Sequence, residues 1–211
     1  MARGGLPALA ALDVGDAPEL WRELGFCVAQ DGTCRVGEVE LRLLGAQAGR
    51  GLLGWALRAR GLLPGELDGI ATRTLPPAVE PAAPDTPHHN GATAIDHVVI
   101  RTPDLDRTLT ALEAAGFELR RVRDAGSGLR QAFLWAGEVL LEVAGPAEPS
   151  GQQPASLWGL VIVTPDLSLA GDALGSARPA VQQGRLIATV RREAGSSIPL
   201  AFMTPHAARG T

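Results

Sequence analysis

The chain has no lysine and no tyrosine, and Asn90 is its only asparagine. All 19 of its basic residues are therefore arginine. Without a lysine amine, Schiff-base chemistry on lysine is excluded. The wealth of Ala, Gly, Pro and Arg matches a high-GC bacterium, so the arginines are not read as a phosphate-binding device by default. Basic excess is also missing. The net charge is −4 and the sequence pI about 5.6, which argues against a nucleic-acid surface, since that needs cations to neutralise phosphates. Two cysteines, Cys27 and Cys34, are too few for a disulfide framework. Asp31-Gly32 between them reads as a tight hairpin turn that sets Ala29 opposite Cys34 and Cys27 diagonal to it. Two reduced thiols are the expected reading, and a disulfide is the alternative. No apolar run reaches the ~18–20 residues that cross a membrane. The apolar stretch Leu6–Leu12 after Arg3 is cut by Asp13, too early for a signal peptide. A cytoplasmic protein with no membrane partner is expected.

What the chain does have is apolar surface. Apolar residues make up 45% of 211, enough core for one large domain or two small ones. Five prolines between Pro76 and Pro87 mark a linker over 76–91. It separates an N-terminal half, 1–75, from a C-terminal domain, 92–211.

The C-terminal domain repeats itself. Ile95-Asp96-His97-Val98-Val99-Ile100 is a β-branched run, hence a strand. Thr102-Pro103-Asp104-Leu105 follows and starts a helix, with Leu105, Leu109 and Leu112 at helical spacing and Gly116 at its end. Phe117–Arg123, Arg130–Trp135 and Glu138–Ala144 read as three further strands. Leu157–Val163 opens the same plan again, and Thr164-Pro165-Asp166-Leu167 repeats the earlier tetrapeptide at an offset of 62 residues. A helix around Leu167–Leu174 and strands at Ala180–Gln183, Arg185–Arg191 and Ile198–Met203 complete the second copy. A fainter copy opens the chain, with a strand at Leu6–Leu12, a helix at Ala17–Leu24, and Gly25-Phe26 paralleling Gly116-Phe117. Gly51–Arg58 begins a fourth, truncated module whose stunted helix is expected at Leu62–Gly69.

This arrangement resembles the vicinal oxygen chelate superfamily, the glyoxalase/bleomycin-resistance/dioxygenase proteins. Ile95–Ile100 looks like that family's opening strand with its metal-ligand histidine, and Leu140-Leu141-Glu142-Val143 like its closing strand with the ligand glutamate. The resemblance implies an α+β fold of tandem βαβββ modules paired into cup-shaped open barrels, with site residues projecting into the cup. The alternation of side chains along a strand agrees. His97, Val99 and Arg101 share one face, with Asp96 on the other, and Leu140, Glu142 and Ala144 share the matching face of the closing strand.

In metal-dependent members of the family two modules each supply a neutral donor and a carboxylate to a divalent metal, whose open positions take the substrate. Here the repeat offset puts Gly159 and Ala201 at the second pair of positions, so the metal site implied by His97 and Glu142 is incomplete. His88, His89 and His206 are candidates to rescue it, although a solvated loop or tail is the plainer expectation for them. Without metal, a carboxylate on the His97 imidazole fixes its tautomer and raises its basicity, so His97 and Glu142 suit proton abstraction beside a carbonyl. Arg101 is a candidate partner for a ligand carboxylate or phosphate. Phe133 and Trp135, on one face of their strand, are candidates to line the cup. Two functions stay open: a lyase, isomerase or dioxygenase of glyoxalase type, and a resistance-type protein that sequesters a small molecule. A non-catalytic scaffold is the third reading, and a homodimer is an open assembly.

Overall fold

The computed structural model describes residues 6–76 and 87–206; most of the proline-rich stretch expected as a linker lies outside them. The N-terminal half opens with β1 (Ala8–Val14) and helix α1 (Pro18–Glu23), followed by β2 (Thr33–Val36), β3 (Val39–Leu43), β4 (Leu52–Arg58), β5 (Gly65–Leu67) and β6 (Ile70–Leu75). They form one mixed sheet in the order β2-β3-β1-β4-β6-β5. The second half runs β7 (Ala94–Arg101), α2 (Leu105–Ala114), β8 (Leu119–Gly126), β9 (Leu129–Ala136), β10 (Val139–Pro146), β11 (Ser156–Val163), β12 (Arg178–Pro179), β13 (Leu186–Thr189) and β14 (Leu200–Met203). Its sheet is ordered β12-β13-β14-β11-β7-β10-β9-β8.

The two sheets follow one rule. Each module's opening strand pairs in parallel with its own closing strand, as β1 with β3, β4 with β6, β7 with β10 and β11 with β14. The two opening strands of a sheet then meet antiparallel at its centre, β1 against β4 and β7 against β11. This is the expected pairing of modules into open sheets.

Local chemistry explains the best-formed elements. Leu105, Thr108, Leu109 and Leu112 are buried along one face of α2, and the Asp104 carboxylate caps it by accepting from the Arg107 N–H at 3.0 Å. Gly116, at φ +93°, turns the chain out of that helix. Along β10 buried and half-buried residues alternate without a break, which is the signature of a sheet with one face in the core.

Three elements differ from expectation. Leu62–Gly69 holds no helix; it leads into the β5–β6 hairpin, and three glycines of positive φ, Gly61, Gly65 and Gly69, leave little helix propensity there. Leu167–Ala173 is a 3₁₀ segment broken at Gly171. The strand expected at Ala180–Gln183 is a loop after the two-residue β12.

The inner faces of both sheets share one buried cluster that includes Trp21, Trp55, Phe26, Phe117 and Phe202. Two ring contacts join the halves: Trp55 with Phe117 at 6.1 Å and Phe26 with Phe202 at 5.9 Å between centroids. Polar contacts join them too. Asp16 accepts from Ser197 N at 2.9 Å and Ser196 Oγ at 3.0 Å, while Asp68 accepts from Arg107 Nε at 2.8 Å. No disulfide joins Cys27 and Cys34. Among the described residues no helix is long and apolar enough to cross a membrane.

Candidate functional site

The second sheet sends Val98, Ile100, Leu141 and Val143 into the core. Its other face carries the candidate residues, and the strand register sets them in rows. Trp135, Leu140, His97, Val161 and Ala201 lie side by side across β9, β10, β7, β11 and β14. The next row holds Arg121, Phe133, Glu142, Val99 and Gly159. His97 and Glu142 therefore sit on adjacent parallel strands one row apart, and His97 Nε2 lies 3.9 Å from Glu142 Oε2.

Asp96 departs from simple alternation. His97 pairs with Val161, but the next pair is Ile95 with Ile162, so β7 carries one extra residue at this step. Such a bulge re-aims a side chain. It brings the Asp96 carboxylate to the face that carries His97, 2.7 Å from His97 Nδ1. Its second oxygen is 2.6 Å from Arg185 Nη2. Burial raises the Asp96 carboxyl, but its hydrogen bonds and attraction to His97 and Arg185 outweigh burial and hold it below the ordinary value. An ionised Asp96 can only accept, so Nδ1 carries the proton, and whenever the ring is neutral its Nε2 presents a lone pair towards Glu142.

Arg185 links the edge of the sheet to its centre. Its strand edge, β13, is three strands from β7, about 14 Å along a flat sheet at ~4.8 Å per strand. Arg185 nonetheless reaches Asp96, donates from Nε to the Thr204 carbonyl at 2.6 Å and is only 2% exposed. This one side chain thus ties the β13 side of the sheet to β7. On the other side of His97 Gln131 donates to Glu142 Oε1 at 2.5 Å, and Arg123 Nε donates to Gln131 Oε1 at 2.8 Å. A polar chain thus runs from Arg123 through Gln131 and Glu142, and from His97 through Asp96 to Arg185. Its one gap is the 3.9 Å between His97 and Glu142.

The other candidates take varied places. Phe133 lies in the Glu142 row with the Arg121 and Arg123 guanidinium carbons 5.0 and 5.4 Å from its ring centre. Trp135 shares the His97 row. Arg101 is exposed at the far end of β7, its guanidinium 5.0 Å from the ring centre of Trp158. Val161, Ala201 and Met203 form a small apolar floor beside His97. His88 and Asn90 are buried, contrary to the solvated loop expected for them. The His88 ring accepts from Cys27 N at 2.9 Å and donates to the Arg35 carbonyl at 2.8 Å, so both its nitrogens are committed to backbone groups of the N-terminal half. His88 and His89 line a separate groove of about 620 Å³ with Arg22, Cys27 and Arg35. His206 meets Arg185 Nη1 at 3.3 Å.

The donor set does not fit a metal held by three or four protein ligands. His97 and Glu142 offer two donor atoms. Gly159 and Ala201 offer none, and a Cβ at Gly159 would already stand 3.1 Å from the Pro199 carbonyl. Among the described residues no group of three His, Cys, Asp or Glu side chains is placed to hold a metal.

A scan against protein-family models finds no match, and a search of curated proteins finds none. Solved structures do match. A 4-hydroxymandelate synthase mutant from Streptomyces coelicolor aligns over 97% of this chain and 94% of that one, with TM-score 0.64 and 16% identity. A xylose isomerase-like TIM barrel/4-hydroxyphenylpyruvate dioxygenase fusion protein aligns over 97% of this chain and 49% of that one, with TM-score 0.63 and 12% identity. Methylmalonyl-CoA epimerase from Mycobacterium tuberculosis covers 56% of this chain and 91% of its own, with TM-score 0.44 and 17% identity. With its module order and both mixed open sheets matched along almost the whole chain, the protein has the vicinal oxygen chelate, or glyoxalase-like, fold.

Proposed function

We propose that the C-terminal cup takes a small carbonyl compound and that His97 and Glu142 exchange a proton with the carbon beside its carbonyl, in the manner of an isomerase or epimerase. The observation that carries this reading is the His97 ring. Nδ1 is tied to an ionised carboxylate, and Nε2 faces a second carboxylate across 3.9 Å with no hydrogen bond between them. Two acceptor atoms at that spacing favour a proton donor from a ligand between them. In the proposed step the Nε2 lone pair takes the proton, and the C–H electron pair moves into the carbonyl to form an enolate. The imidazolium returns the proton to carbon. Glu142, oriented by Gln131, stabilises the transient imidazolium, as Asp96 does from the other side. The apolar floor of Val161, Ala201 and Met203 suits the carbon skeleton of such a ligand.

The test is proton exchange. A panel of α-keto acids, α-substituted carboxylic acids and their thioesters is incubated with the protein in D₂O and followed by NMR, alongside transition-metal quantification on protein prepared without chelators. The expected result is deuterium uptake at one α carbon by metal-free protein, lost in His97→Gln and reduced in Glu142→Gln. Near-stoichiometric metal, lost in both variants, would overturn the reading in favour of metal-dependent chemistry. Tight binding of a panel member with no exchange would favour the sequestering protein.

A further inference from the structure

We infer that Arg185 is a positioning residue of the cup: from the far wall it holds Asp96, and through Asp96 it keeps the His97 ring turned with its Nε2 lone pair towards Glu142. The inference rests on the reading of the cup as an acid–base site.

The argument starts from what Asp96 would do alone. It sits at a bulge, where a strand leaves its regular path and a side chain has no register to hold it. A carboxylate there has two oxygens and several rotamers. One oxygen is 2.7 Å from His97 Nδ1, and the other is 2.6 Å from Arg185 Nη2. Holding both oxygens defines the carboxylate plane, and that plane fixes the imidazole. Arg185 is well placed to be the fixed point. Its Nε is bonded to the Thr204 carbonyl and its Nη1 to His206 Nε2. A planar fork with three directions occupied cannot swing. Its own backbone is pinned as well, since the Arg185 carbonyl accepts from Ala180 N at 2.9 Å and its N–H donates to the Gln182 carbonyl at 3.3 Å. The guanidinium is buried, while the loop at Val181–Gly184 that carries it is largely exposed. A surface loop thus delivers one buried cation to the floor of the cup. Packing alone does not call for a charge there, because the adjoining Val161, Ala201 and Met203 floor is apolar and a buried unpaired cation is costly. The charged groups that face this network are Asp96, Glu142 and His206, each from a different segment.

The experiment reads the ring without any substrate. Full-length protein with ¹⁵N-labelled histidine is examined by two-bond ¹H–¹⁵N correlation at one fixed pH, in wild type, Arg185→Met, Arg185→Gln and Arg185→Lys. The wild-type His97 pattern is expected to be that of a single tautomer, protonated at Nδ1. In Arg185→Met that pattern is expected to collapse into an averaged one. Arg185→Lys, which keeps a cation beside Asp96, is expected to restore it. Should the Met variant lose its native backbone spectrum, Arg185→Gln is read in its place, because its amide can still partner Thr204. An unchanged single-tautomer pattern in either folded neutral variant overturns the inference. So does a wild-type ring protonated at Nε2. A tautomer lost as expected, in a protein that exchanges no carbonyl compound, would leave Arg185 as the positioning residue and overturn the proposed reaction alone.

Discussion

Asp96 and Arg185 should be energetically coupled more strongly than the other charged pairs among the described residues, and a double-mutant cycle measures that coupling. Arg185 is 2% exposed and the Asp96 side chain 14%. Breaking a buried pair by removing one partner costs about 3–5 kcal/mol, because the remaining charge is left uncompensated. The lower end applies here. Arg185 keeps the Thr204 carbonyl and His206 when Asp96 is gone, and the Asp96 side chain, partly open to solvent, regains water when Arg185 is gone. Asp96→Ala and Arg185→Met are each expected to lose about 3 kcal/mol; methionine keeps the straight aliphatic stem of the arginine. Removing both leaves no orphaned charge, so the double variant should lose about 2 kcal/mol less than the sum of the two. At ~2–4 °C per kcal/mol for a chain of this size, each single variant should melt roughly 6–12 °C lower. Urea unfolding at fixed pH gives the cycle, with the slope of the transition checked for constancy. The coupling should also survive high salt, since buried pairs are screened little. Additivity within ~0.5 kcal/mol would show that the two side chains meet without stabilising each other, and would remove the physical basis for treating Arg185 as a tether.

A second tether should be weaker. Asp68 accepts from Arg107 and from the Thr108 hydroxyl and joins the two halves of the chain, but the Arg107 side chain is 31% exposed. Asp68→Ala should cost about 1.5–2 kcal/mol by thermal melting; since Asp68 holds φ +48°, Asp68→Asn should cost less, as asparagine tolerates that conformation. An equal loss in both variants would contradict this account of the turn. The pH dependence of stability also has a defined sign. The Asp96 carboxyl lies below its ordinary value of 3.8, so its contribution is fully present above that value and is lost as the pH falls through the lower, folded one. Wild type should therefore lose stability more steeply than Asp96→Asn below about pH 4, and parallel acid-unfolding curves for the two would refute the assignment.

Much of the fold is legible in the residues because it rests on local signals. The β-branched run at Ile95–Ile100, the capped helix that begins at Leu105 and the repeated Thr-Pro-Asp-Leu each act within a few neighbours. Their recurrence gives the module order without long-range information. Alternation also brings His97 and Glu142 to one face, and by the same count it assigns Gln131 to the face of Phe133 and Trp135, although Gln131 attracts no notice until Glu142 is seen beside it. The stunted helix at Leu62–Gly69 fails for a related reason. Its apolar spacing suggests a helix, but its glycines and the vacant edge of β6 favour a hairpin, and the edge is a tertiary feature.

What the chain determines by itself is periodicity: which residues are strand, which face each side chain takes, and which positions carry no donor, as at Gly159 and Ala201. What only the tertiary structure decides is contact between segments far apart in the chain. The bulge that turns Asp96 towards His97 is set by the pairing of β7 with β11, which local alternation cannot register. The arrival of Arg185 at Asp96 depends on the pairing of β13, β14, β11 and β7, which sets the loop before β13 within reach of β7. His88 and Asn90 become buried only because segments far away in the chain, around Leu24, Cys27, Arg35 and Thr164, close on them. Each of these follows from backbone hydrogen bonding or packing between segments far apart in the chain, whose free energy is absent until the segments meet.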